Sequence, residues 1–340
     1  MSVDSAFTAG DIVAQDGALS SQTLFLSPVQ GEAKQPLVAV LLCTYNGEKF
    51  LAEQLESIER QTHSNWILTV SDDGSSDATH ALLDACKTRL RESRCVIERG
   101  PAKGFSANFL SLTCRANIQA DFYAWSDQDD VWYDDKLQRA IERLKHVPAH
   151  VPALYCGRTE LTHERGEHMG YSPLFARAPS FANALVQSIG GGNTMVLNHA
   201  AVLLLREAGA DIKIVSHDWW TYLLVTGCGG VVVYDSEPAI FYRQHDGNLI
   251  GGNANWAARL ARLRMVFQGR FREWNELNIV ALQSVQSRLT PQSNEIFMRF
   301  STARNKKLLA RFIELKRSGV YRQTLLGNLG LVLAAFLKGI

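Results

Sequence analysis

The segment that decides the fold is Leu37-Val38-Ala39-Val40-Leu41-Leu42-Cys43-Thr44-Tyr45-Asn46-Gly47. Its first seven residues form an unbroken apolar run, which stops at the polar residues that begin with Thr44. A strand that is buried on both faces, as in a parallel sheet, has this composition. The apolar residues that come next have helical spacing: Phe50, Leu51, Leu55 and Ile58. The segment therefore predicts a buried strand followed by a helix.

Strands and helices are predicted to alternate along the rest of the chain. Helices are expected near residues 48–61, 77–88 and 108–116, with a further one beginning near residue 216. Strands are expected at residues 66–71, 95–98, 122–126, 194–197 and 239–242. This alternation predicts an α/β fold with a mostly parallel, doubly wound sheet and right-handed connections.

Polar residues collect where three of these strands end. Thr44-Tyr45-Asn46 follows the first strand, Asp72-Asp73 the second, and Asp127-Gln128-Asp129-Asp130 the strand at residues 122–126. Ligands of open α/β sheets bind outside the carboxyl ends of the strands. We therefore expect the three clusters to meet in one crevice.

The acidic cluster at residues 127–130 indicates a divalent metal site. Carboxylates this close repel one another unless a cation compensates them, and oxygen ligands favour Mg²⁺ or Mn²⁺. The alternative is a solvated loop or a helix cap, where Asp is common. The second acidic pair, Asp72-Asp73, favours the metal. His245 is a candidate additional ligand, and Arg243 is a candidate phosphate partner.

Three further positions have both a structural and a functional interpretation. Asp73 can belong to a helix-capping turn, or its carboxylate can accept the imide N–H of uracil or thymine. Asp218 can be the first-turn acid of a helix, or a general base in an aromatic wall, with His217 a weaker candidate for that role. The glycines at residues 190–192 predict an adaptable loop that faces an acceptor.

Composition and spacing exclude several classes of protein. The chain has 340 residues, of which 46% are hydrophobic, and this fraction excludes general disorder. Six cysteines without a CxxC pair argue against a zinc module or a disulfide scaffold and indicate a cytoplasmic protein. The P-loop, GxGxxG and GxSxG motifs are absent. Residues 1–35 lack a signal-peptide pattern and are expected to form a flexible leader.

Three motifs, in this order, resemble those of the family 2 glycosyltransferases of the GT-A fold. They are residues 38–47, Ser71-Asp72-Asp73-Gly74-Ser75-Ser76-Asp77, and Ser126-Asp127-Gln128-Asp129-Asp130-Val131-Trp132. The subgroup that looks most similar is the rhamnosyltransferase-like enzymes of bacterial surface polysaccharide synthesis. The resemblance covers residues 36–250, and it implies that they form a Rossmann-like catalytic domain that binds a nucleotide-sugar and an acceptor.

The resemblance implies roles for the residues that match the family's motifs. The residues implied to bind the nucleotide-sugar are Thr44, Tyr45, Asn46, Asp73, Asn108 and Asp127. Those implied to hold the metal are Asp129, Asp127 and His245. Asp218 is the implied catalytic base, although His217 stands where the family more often has a second acid.

The resemblance also implies the type of reaction. The QxxRW motif of processive synthases is absent, so the transfer of a single sugar is expected. The resemblance further implies that the transfer inverts the anomeric configuration. The implied donor is a dTDP- or UDP-linked sugar, such as a rhamnose donor, and the implied acceptor is a glycan or a lipid-linked molecule. Two alternatives stay open. One is a haloacid-dehalogenase-type phosphatase, because residues 127–131 also fit DxDx[TV]. The other is a non-catalytic membrane scaffold that binds a nucleotide-sugar.

Residues 251–340 differ in charge from the rest of the chain. They carry 15 Lys/Arg against 4 Asp/Glu, whereas residues 1–250 carry 20 against 30. An apolar stripe with helical spacing runs through them: Trp256, Leu260, Leu263, Phe267, Phe271, Trp274 and Leu277. We expect a basic amphipathic helical extension that packs on the catalytic domain or binds an anionic surface at the inner face of the cytoplasmic membrane. The apolar segment at 325–337 is too short to span a bilayer, and no motif suggests nucleic acid.

Overall fold

The strand predicted at residues 37–43 lies in the middle of the main sheet. The computed structural model describes residues 35–91, 93–245, 270–337 and 339–340. Strand β1 (Val38–Thr44) is buried at every position. It has a parallel neighbour on each edge, and apolar side chains pack on both of its faces. That burial explains why its apolar run is continuous rather than alternating.

The main sheet has seven strands and is mostly parallel. The others are β2 (Trp66–Asp72), β3 (Cys95–Arg99), β4 (Phe122–Ser126), β6 (Ala153–Gly157), β9 (Val196–Asn198) and β10 (Val231–Asp235). Their order is β10-β6-β9-β4-β1-β2-β3. Only β9 runs antiparallel to its neighbours, β4 and β6. The predicted α/β fold class is therefore confirmed.

Helices cover both faces of this sheet. Those of the described residues 35–245 are α1 (Leu51–Glu59), α2 (Thr79–Leu90), α3 (Phe105–Thr113), α4 (Lys136–Leu144), α5 (Phe181–Ala184), α6 (His199–Ala208) and α7 (His217–Gly227). Because side chains alternate along a strand, Val40 of β1 belongs to the core that contains Leu55 of α1. Leu41 belongs to the opposite core, with Phe109 of α3 and Trp220 of α7.

A second, four-stranded sheet brings residues 240–245 back to the acidic loop. Its strands are β5 (Val131–Trp132), β7 (Glu160–His163), β8 (His168–Tyr171) and β11 (Ile240–Gln244), in the order β5-β11-β7-β8. Strand β5 follows residues 127–130 directly, and its Trp132 pairs with Ile240 of β11. This pairing places His245, the residue after β11, beside the acidic loop.

The predicted boundaries are close to the observed ones. Helix α3 is displaced as a whole by three residues towards the N-terminus, since it spans Phe105–Thr113 rather than residues 108–116. The residue before it, Gly104, has a φ of 87°, and its carbonyl accepts the first helical hydrogen bond, from Asn108. The strand predicted at residues 194–197 is β9, and a 3₁₀ turn (Gly192–Thr194) precedes it.

Among the described residues 270–340, four helices follow: α8 (Arg270–Ser284), α9 (Pro291–Asn305), α10 (Leu308–Ser318) and α11 (Leu325–Phe336). Phe271 of α8 and Phe297 of α9 belong to the same core as Trp219 of α7, and Trp274 packs edge-on against Trp219 at 6.3 Å. Within the described part of the predicted stripe, Phe271 and Trp274 thus pack towards α7, whereas Leu277 is exposed.

Some sequence predictions lie outside the described residues. They are the leader at residues 1–34 and the stripe residues Trp256, Leu260, Leu263 and Phe267. Among the residues with described positions, none of the helices is both long enough and apolar enough to cross a membrane.

Candidate active site

The three polar clusters lie at one edge of the main sheet, because β2, β1 and β4 are neighbours there. In the register, Thr44 of β1 lies opposite Asp72 of β2, and Leu42 lies opposite Ser126, the last residue of β4. The residues after these strands therefore leave the sheet side by side. The three clusters that the sequence predicts to meet are therefore neighbours.

Asp72 holds the first two clusters together. Its Oδ1 accepts hydrogen bonds from Thr44 Oγ1 (2.8 Å) and Ser75 Oγ (2.5 Å), and its Oδ2 accepts from the Ser75 N–H at 2.9 Å. Burial opposes the charged form, but these hydrogen bonds outweigh it and hold the pKa of Asp72 below its usual range. Thr44 and Asp72 therefore form a buried, hydrogen-bonded pair with a structural role. The sequence analysis did not assign this role to Asp72.

The backbone of Tyr45 is fixed by a residue that the sequence analysis missed. Gln128 Oε1 accepts from the Tyr45 N–H at 2.8 Å, and Gln128 Nε2 donates to the Tyr45 carbonyl at 3.0 Å. A Cβ on Gly47 would lie 2.5 Å from Gln128 Oε1, so any larger residue there would displace the Gln128 side chain from Tyr45. The Tyr45 side chain itself is 59% exposed, which leaves its ring available to a ligand.

Asn46 fixes the turn after β2 from the other side. It has a φ of 48°, in the left-handed region that Asn tolerates. Its N–H donates to Ser75 Oγ at 2.9 Å, and its Oδ1 accepts from the Ser76 N–H at 2.9 Å. The ends of β1 and β2 are thus joined by both backbone and side-chain contacts.

Asp73 and Asn108 line the third side of the crevice. The Asp73 carboxylate accepts from the backbone N–H groups of Ala102 (2.7 Å) and Gly104 (2.9 Å). Asn108 is buried, and it is bonded to the Ser71 hydroxyl at 2.5 Å and the Ser71 carbonyl at 2.9 Å. Both carboxylate oxygens of Asp73 are therefore fixed in position by the loop that leads into α3.

Asp129 and His245 meet across the two sheets. His245 Nε2 lies 2.8 Å from Asp129 Oδ2, and the imidazole packs on Phe50 with ring centroids 4.8 Å apart. Burial, and then the negative charges of Asp129 and Asp218, raise the pKa of Asp127 to about 7. Asp127, Asp129 and Asp218 therefore share one electrostatic environment, although Asp218 is about ninety positions away in the sequence.

Arg243 supports the acidic loop. Its guanidinium donates to the Asp129 carbonyl (3.1 Å), the Glu164 carbonyl (2.6 Å) and Glu53 Oε2 (2.6 Å). These contacts to protein atoms do not favour the phosphate-partner interpretation of Arg243. They make it the residue that holds Asp129 close to β11.

A divalent cation fits this arrangement. Within the described ranges, no group of three or more His, Cys, Asp or Glu side chains forms a ready-made metal cage. Mg²⁺ and Mn²⁺ commonly use one or two protein carboxylates and complete their coordination with water and substrate phosphates. Burial and the negative charge of Asp129 both raise the pKa of Asp127, and a cation beside the two carboxylates would relieve the repulsion between them.

A buried cluster lies beneath the acidic loop. Asp130 Oδ2 accepts from Asn193 Nδ2 at 2.6 Å, and Lys136 Nζ donates to the Asn193 carbonyl at 2.7 Å. The Lys136 ammonium also lies 3.4 Å from the centre of the Trp132 ring. Sequence analysis noted Asp130 and the glycines before Asn193 separately, but it missed Lys136 and the link between them.

Asp218 and His217 begin α7, and the charge of Asp218 acts on Asp127 of the acidic loop. Burial raises the pKa of Asp218, against the opposing effect of hydrogen bonds that include one of 2.7 Å from the Trp219 N–H. His217 is 4% exposed and stacks on Phe109 with centroids 4.2 Å apart. Burial lowers its pKa to about 3, so its imidazole is neutral at physiological pH. Neither ring nitrogen has a hydrogen-bond partner in the described part of the chain.

Comparison with known sequences gives one family. The family model for "Glycosyl transferase family 2" matches residues 39–208. The chain is 28% identical over 239 residues to dTDP-rhamnosyl transferase RfbG of Shigella flexneri, which covers 66% of this chain and 78% of that protein. It is 30% identical over 109 residues to the UDP-Glc:alpha-D-GlcNAc-diphosphoundecaprenol beta-1,3-glucosyltransferase WfgD of Escherichia coli, which covers 32% of this chain and 41% of that protein.

Two solved structures have a similar fold. S. aureus TarS 1-349 in complex with UDP gives a TM-score of 0.51 at 15% identity and covers 89% of this chain and 87% of that one. The mannosyltransferase PcManGT from Pyrobaculum calidifontis, in complex with GDP-Man and Mn²⁺, gives 0.50 at 16% identity and covers 90% and 87%. At this level of identity the likeness concerns the fold alone, and that fold is GT-A.

Proposed function

The chain belongs to glycosyltransferase family 2, and from this we propose that it moves one sugar, with inversion, from a nucleoside-diphosphate donor to a glycan or lipid-linked acceptor in bacterial surface polysaccharide synthesis. The observation that carries the proposal is the meeting of Thr44, Asp73 and Asp127 at three adjacent strand ends. The phosphatase interpretation of residues 127–131 was wrong, because this segment lies inside the transferase family match.

The donor pocket is proposed to lie between the ends of β1 and β2 and the start of α3. Asp73 would accept the imide N–H of the base with a carboxylate that two backbone N–H groups already orient. Tyr45 would offer its exposed ring to the nucleotide, with Asn46 beside it. Thr44 and Asn108 are buried and would act by shaping this wall, through Asp72 and Ser71.

Asp127, Asp129 and His245 are the residues that would hold Mg²⁺ or Mn²⁺. When bound, the ion would stabilise the negative charge that develops on the nucleoside-diphosphate leaving group. The electrostatic strain between the carboxylates of Asp127 and Asp129 supports this assignment, as does the Mn²⁺ in the mannosyltransferase complex of similar fold.

Asp218 is proposed to act as the general base. It would take the proton of the acceptor hydroxyl while the acceptor oxygen attacks the anomeric carbon from the face opposite the phosphate. The new bond joins that oxygen to the anomeric carbon, and the bond to the phosphate oxygen breaks, which inverts the configuration. A partly buried carboxylate with a raised pKa suits this task, and the charge of Asp218 also raises the pKa of Asp127.

Rhamnose is proposed as the transferred sugar, on the similarity to dTDP-rhamnosyl transferase RfbG. The same pocket chemistry would accept a uridine-linked donor, because the imide edges of uracil and thymine are alike. A lipid-linked acceptor would place the reaction at a membrane surface. We propose that the C-terminal helices bind that surface peripherally, which their excess of basic residues supports.

Thermal stabilisation tests the donor proposal. The protein would be melted with UDP, dTDP and GDP, each with Mn²⁺, Mg²⁺ or EDTA, because a ligand that binds the native state raises the melting temperature. A metal-dependent shift with dTDP would support a deoxythymidine-linked donor. A metal-dependent shift with UDP alone would instead indicate a uridine-linked donor. Asp129→Asn should remove the metal-dependent part, whereas the exposed Asp134→Asn should not. No shift with any nucleotide would contradict the proposal.

A further inference from the structure

Helix α11 is apolar on both of its faces. Its inner face, with Leu331, Ala334 and Ala335, is buried in the core. Its outer face consists of large apolar side chains that are between 55% and 78% exposed: Leu325, Leu326, Leu329, Val332 and Phe336. We refer to these five residues as the outer α11 face. A helix that is hydrophobic all round is normally buried all round.

The outer α11 face is continuous along the helix. Leu325, Leu329, Val332 and Phe336 are spaced by four, three and four residues, so they form one stripe over about three turns. Single exposed apolar residues are common on protein surfaces and need no explanation. A contiguous row of large ones marks an interaction surface.

Basic residues lie at both ends of this stripe. Arg311, near the start of α10, donates to the carbonyl of Ala335, near the end of α11, at 2.7 Å. Because a short connection also links the end of α10 to the start of α11, the two helices run antiparallel. Lys306 and Lys307, before α10, therefore lie towards the Phe336 end, and Lys316 and Arg317, at its last turn, lie towards the Leu325 end.

The charge of this region is one-sided. Residues 300–340 contain eight Lys/Arg and one acid, Glu314. Glu314 is surrounded by the cationic groups of Lys306 (3.2 Å), Arg299 (3.7 Å) and Arg317 (3.7 Å). The sequence around the apolar stripe is therefore strongly basic.

We infer that the outer α11 face inserts into the headgroup region of an anionic lipid bilayer. An apolar stripe with basic flanks matches such a surface, since the apolar side chains enter the acyl boundary and the cations contact lipid phosphates. A second copy of the chain fits less well, because it would bring the same cations against one another. This inference deepens the membrane part of the proposed function and rests on it, but it does not depend on which sugar is transferred.

Contacts at both ends of α11 fix this helix in place. The Arg311 guanidinium is buried and ties the last turn of α11 to α10. At the other end, Thr324 caps the helix by accepting from the Gly327 N–H at 3.0 Å. A preformed helix does not have to lose conformational entropy when it binds, so even a short stripe can contribute affinity.

Vesicle flotation of the full chain tests the inference. Vesicles of phosphatidylcholine alone would be compared with vesicles that also contain phosphatidylglycerol. The double variant Leu329→Gln, Val332→Gln should bind the anionic vesicles at least about tenfold more weakly than the wild type. The matched control is Leu203→Gln, which changes an equally exposed leucine on α6. A second variant, Lys307→Gln with Lys316→Gln, should weaken binding and reduce its dependence on salt.

The outcomes separate this inference from the transferase chemistry. Unchanged flotation of both variants would overturn it. The inference would also be overturned if sedimentation velocity showed that the wild type is a dimer and the Leu329→Gln, Val332→Gln variant a monomer, while the two floated equally well with the vesicles. Thermal stabilisation by nucleotide, measured on the same variants, should stay at the wild-type value. If no nucleotide stabilised the wild type but the wild type still floated with anionic vesicles, the proposed reaction would be contradicted and the membrane inference would remain supported.

Discussion

Asn193 Nδ2 donates a 2.6 Å hydrogen bond to Oδ2 of Asp130. This contact joins the glycine-rich loop before β9 to the acidic loop after β4. Lys136 completes it from below, with a hydrogen bond to the Asn193 carbonyl, and all three side chains are buried. The loop proposed to face the acceptor and the loop proposed to hold the metal are therefore fixed to one another by a single polar cluster.

Lys136→Met should destabilise the fold. The substitution keeps the packing volume roughly constant but leaves the buried Asn193 carbonyl without the hydrogen bond that Lys136 Nζ donates. A buried acceptor that loses its donor typically costs about 1–3 kcal/mol. Urea unfolding measures it, and the exposed Lys145→Met is the control. If the two variants were equally stable, the cluster would have no net role in stability.

The sequence predicts the sheet well because hydrophobic periodicity is a local signal. The apolar run before Thr44 and the strand at residues 122–126 are recognisable without their neighbours. Pairing is not a local property, and so the contact of Gln128 with Tyr45 and that of Asn193 with Asp130 could not be predicted. They join residues that are 83 and 63 positions apart.

The pair Asp72-Asp73 shows the same limit within a single motif. Both residues are acidic and both follow β2, so the sequence gives no reason to assign them different partners. In the structure Asp72 bonds back to Thr44 and Ser75, and Asp73 bonds forward to the loop before α3. Which carboxylate is available for a base depends on that loop, about thirty residues away.

Gly100→Ala should weaken nucleotide binding. A Cβ at this position would lie 2.7 Å from Oδ1 of both Asn108 and Asp73, and 3.0 Å from the Asp72 carbonyl. The crowding would push the Asp73 carboxylate away from its two N–H donors. Isothermal titration with the preferred nucleotide should show an affinity reduced by about tenfold or more. Gly330→Ala, where a Cβ meets nothing within 4 Å, is the control, and equal affinities in the two variants would contradict the prediction.

His217 should make the fold less stable in mild acid. Its pKa is about 3 in the folded protein, whereas an exposed histidine titrates near 6.5. Below pH 6.5 the unfolded chain therefore binds a proton that the folded chain does not, and stability falls as the pH falls. Between pH 6.5 and 5 the loss from this group is about 1.5 kcal/mol.

Urea unfolding at several pH values measures this contribution. His217→Asn removes the titrating group, so the dependence of its unfolding free energy on pH should be flatter than that of the wild type, whatever its absolute stability. The exposed His146→Asn should keep the wild-type slope. Parallel curves for His217→Asn and the wild type would show that His217 is protonated in the fold.

Asp218→Asn should abolish turnover while donor binding persists. Asparagine can still accept the hydrogen bond from the Trp219 N–H, so the start of α7 should keep its geometry, but an amide cannot take a proton. Removal of a general base typically lowers the rate by about 10²–10⁴-fold. Transfer assays and nucleotide thermal shifts measure the two effects separately. Loss of donor binding together with activity would make Asp218 a structural residue instead.

The raised pKa of Asp218 gives that variant a second signature. Burial favours the neutral carboxyl, so the wild type is destabilised at neutral pH by the charged form and is relieved of this cost as Asp218 becomes protonated in acid. Asp218→Asn is neutral at every pH and should therefore be more stable than the wild type at pH 7, with the difference shrinking as the pH falls. For the same reason, the acid limb of the wild-type rate profile should lie above the ordinary aspartate value of 3.8. If Asp218→Asn melted at a lower temperature than the wild type at pH 7, the surroundings of Asp218 would stabilise its charged form. A raised pKa could then not explain how Asp218 acts as a base.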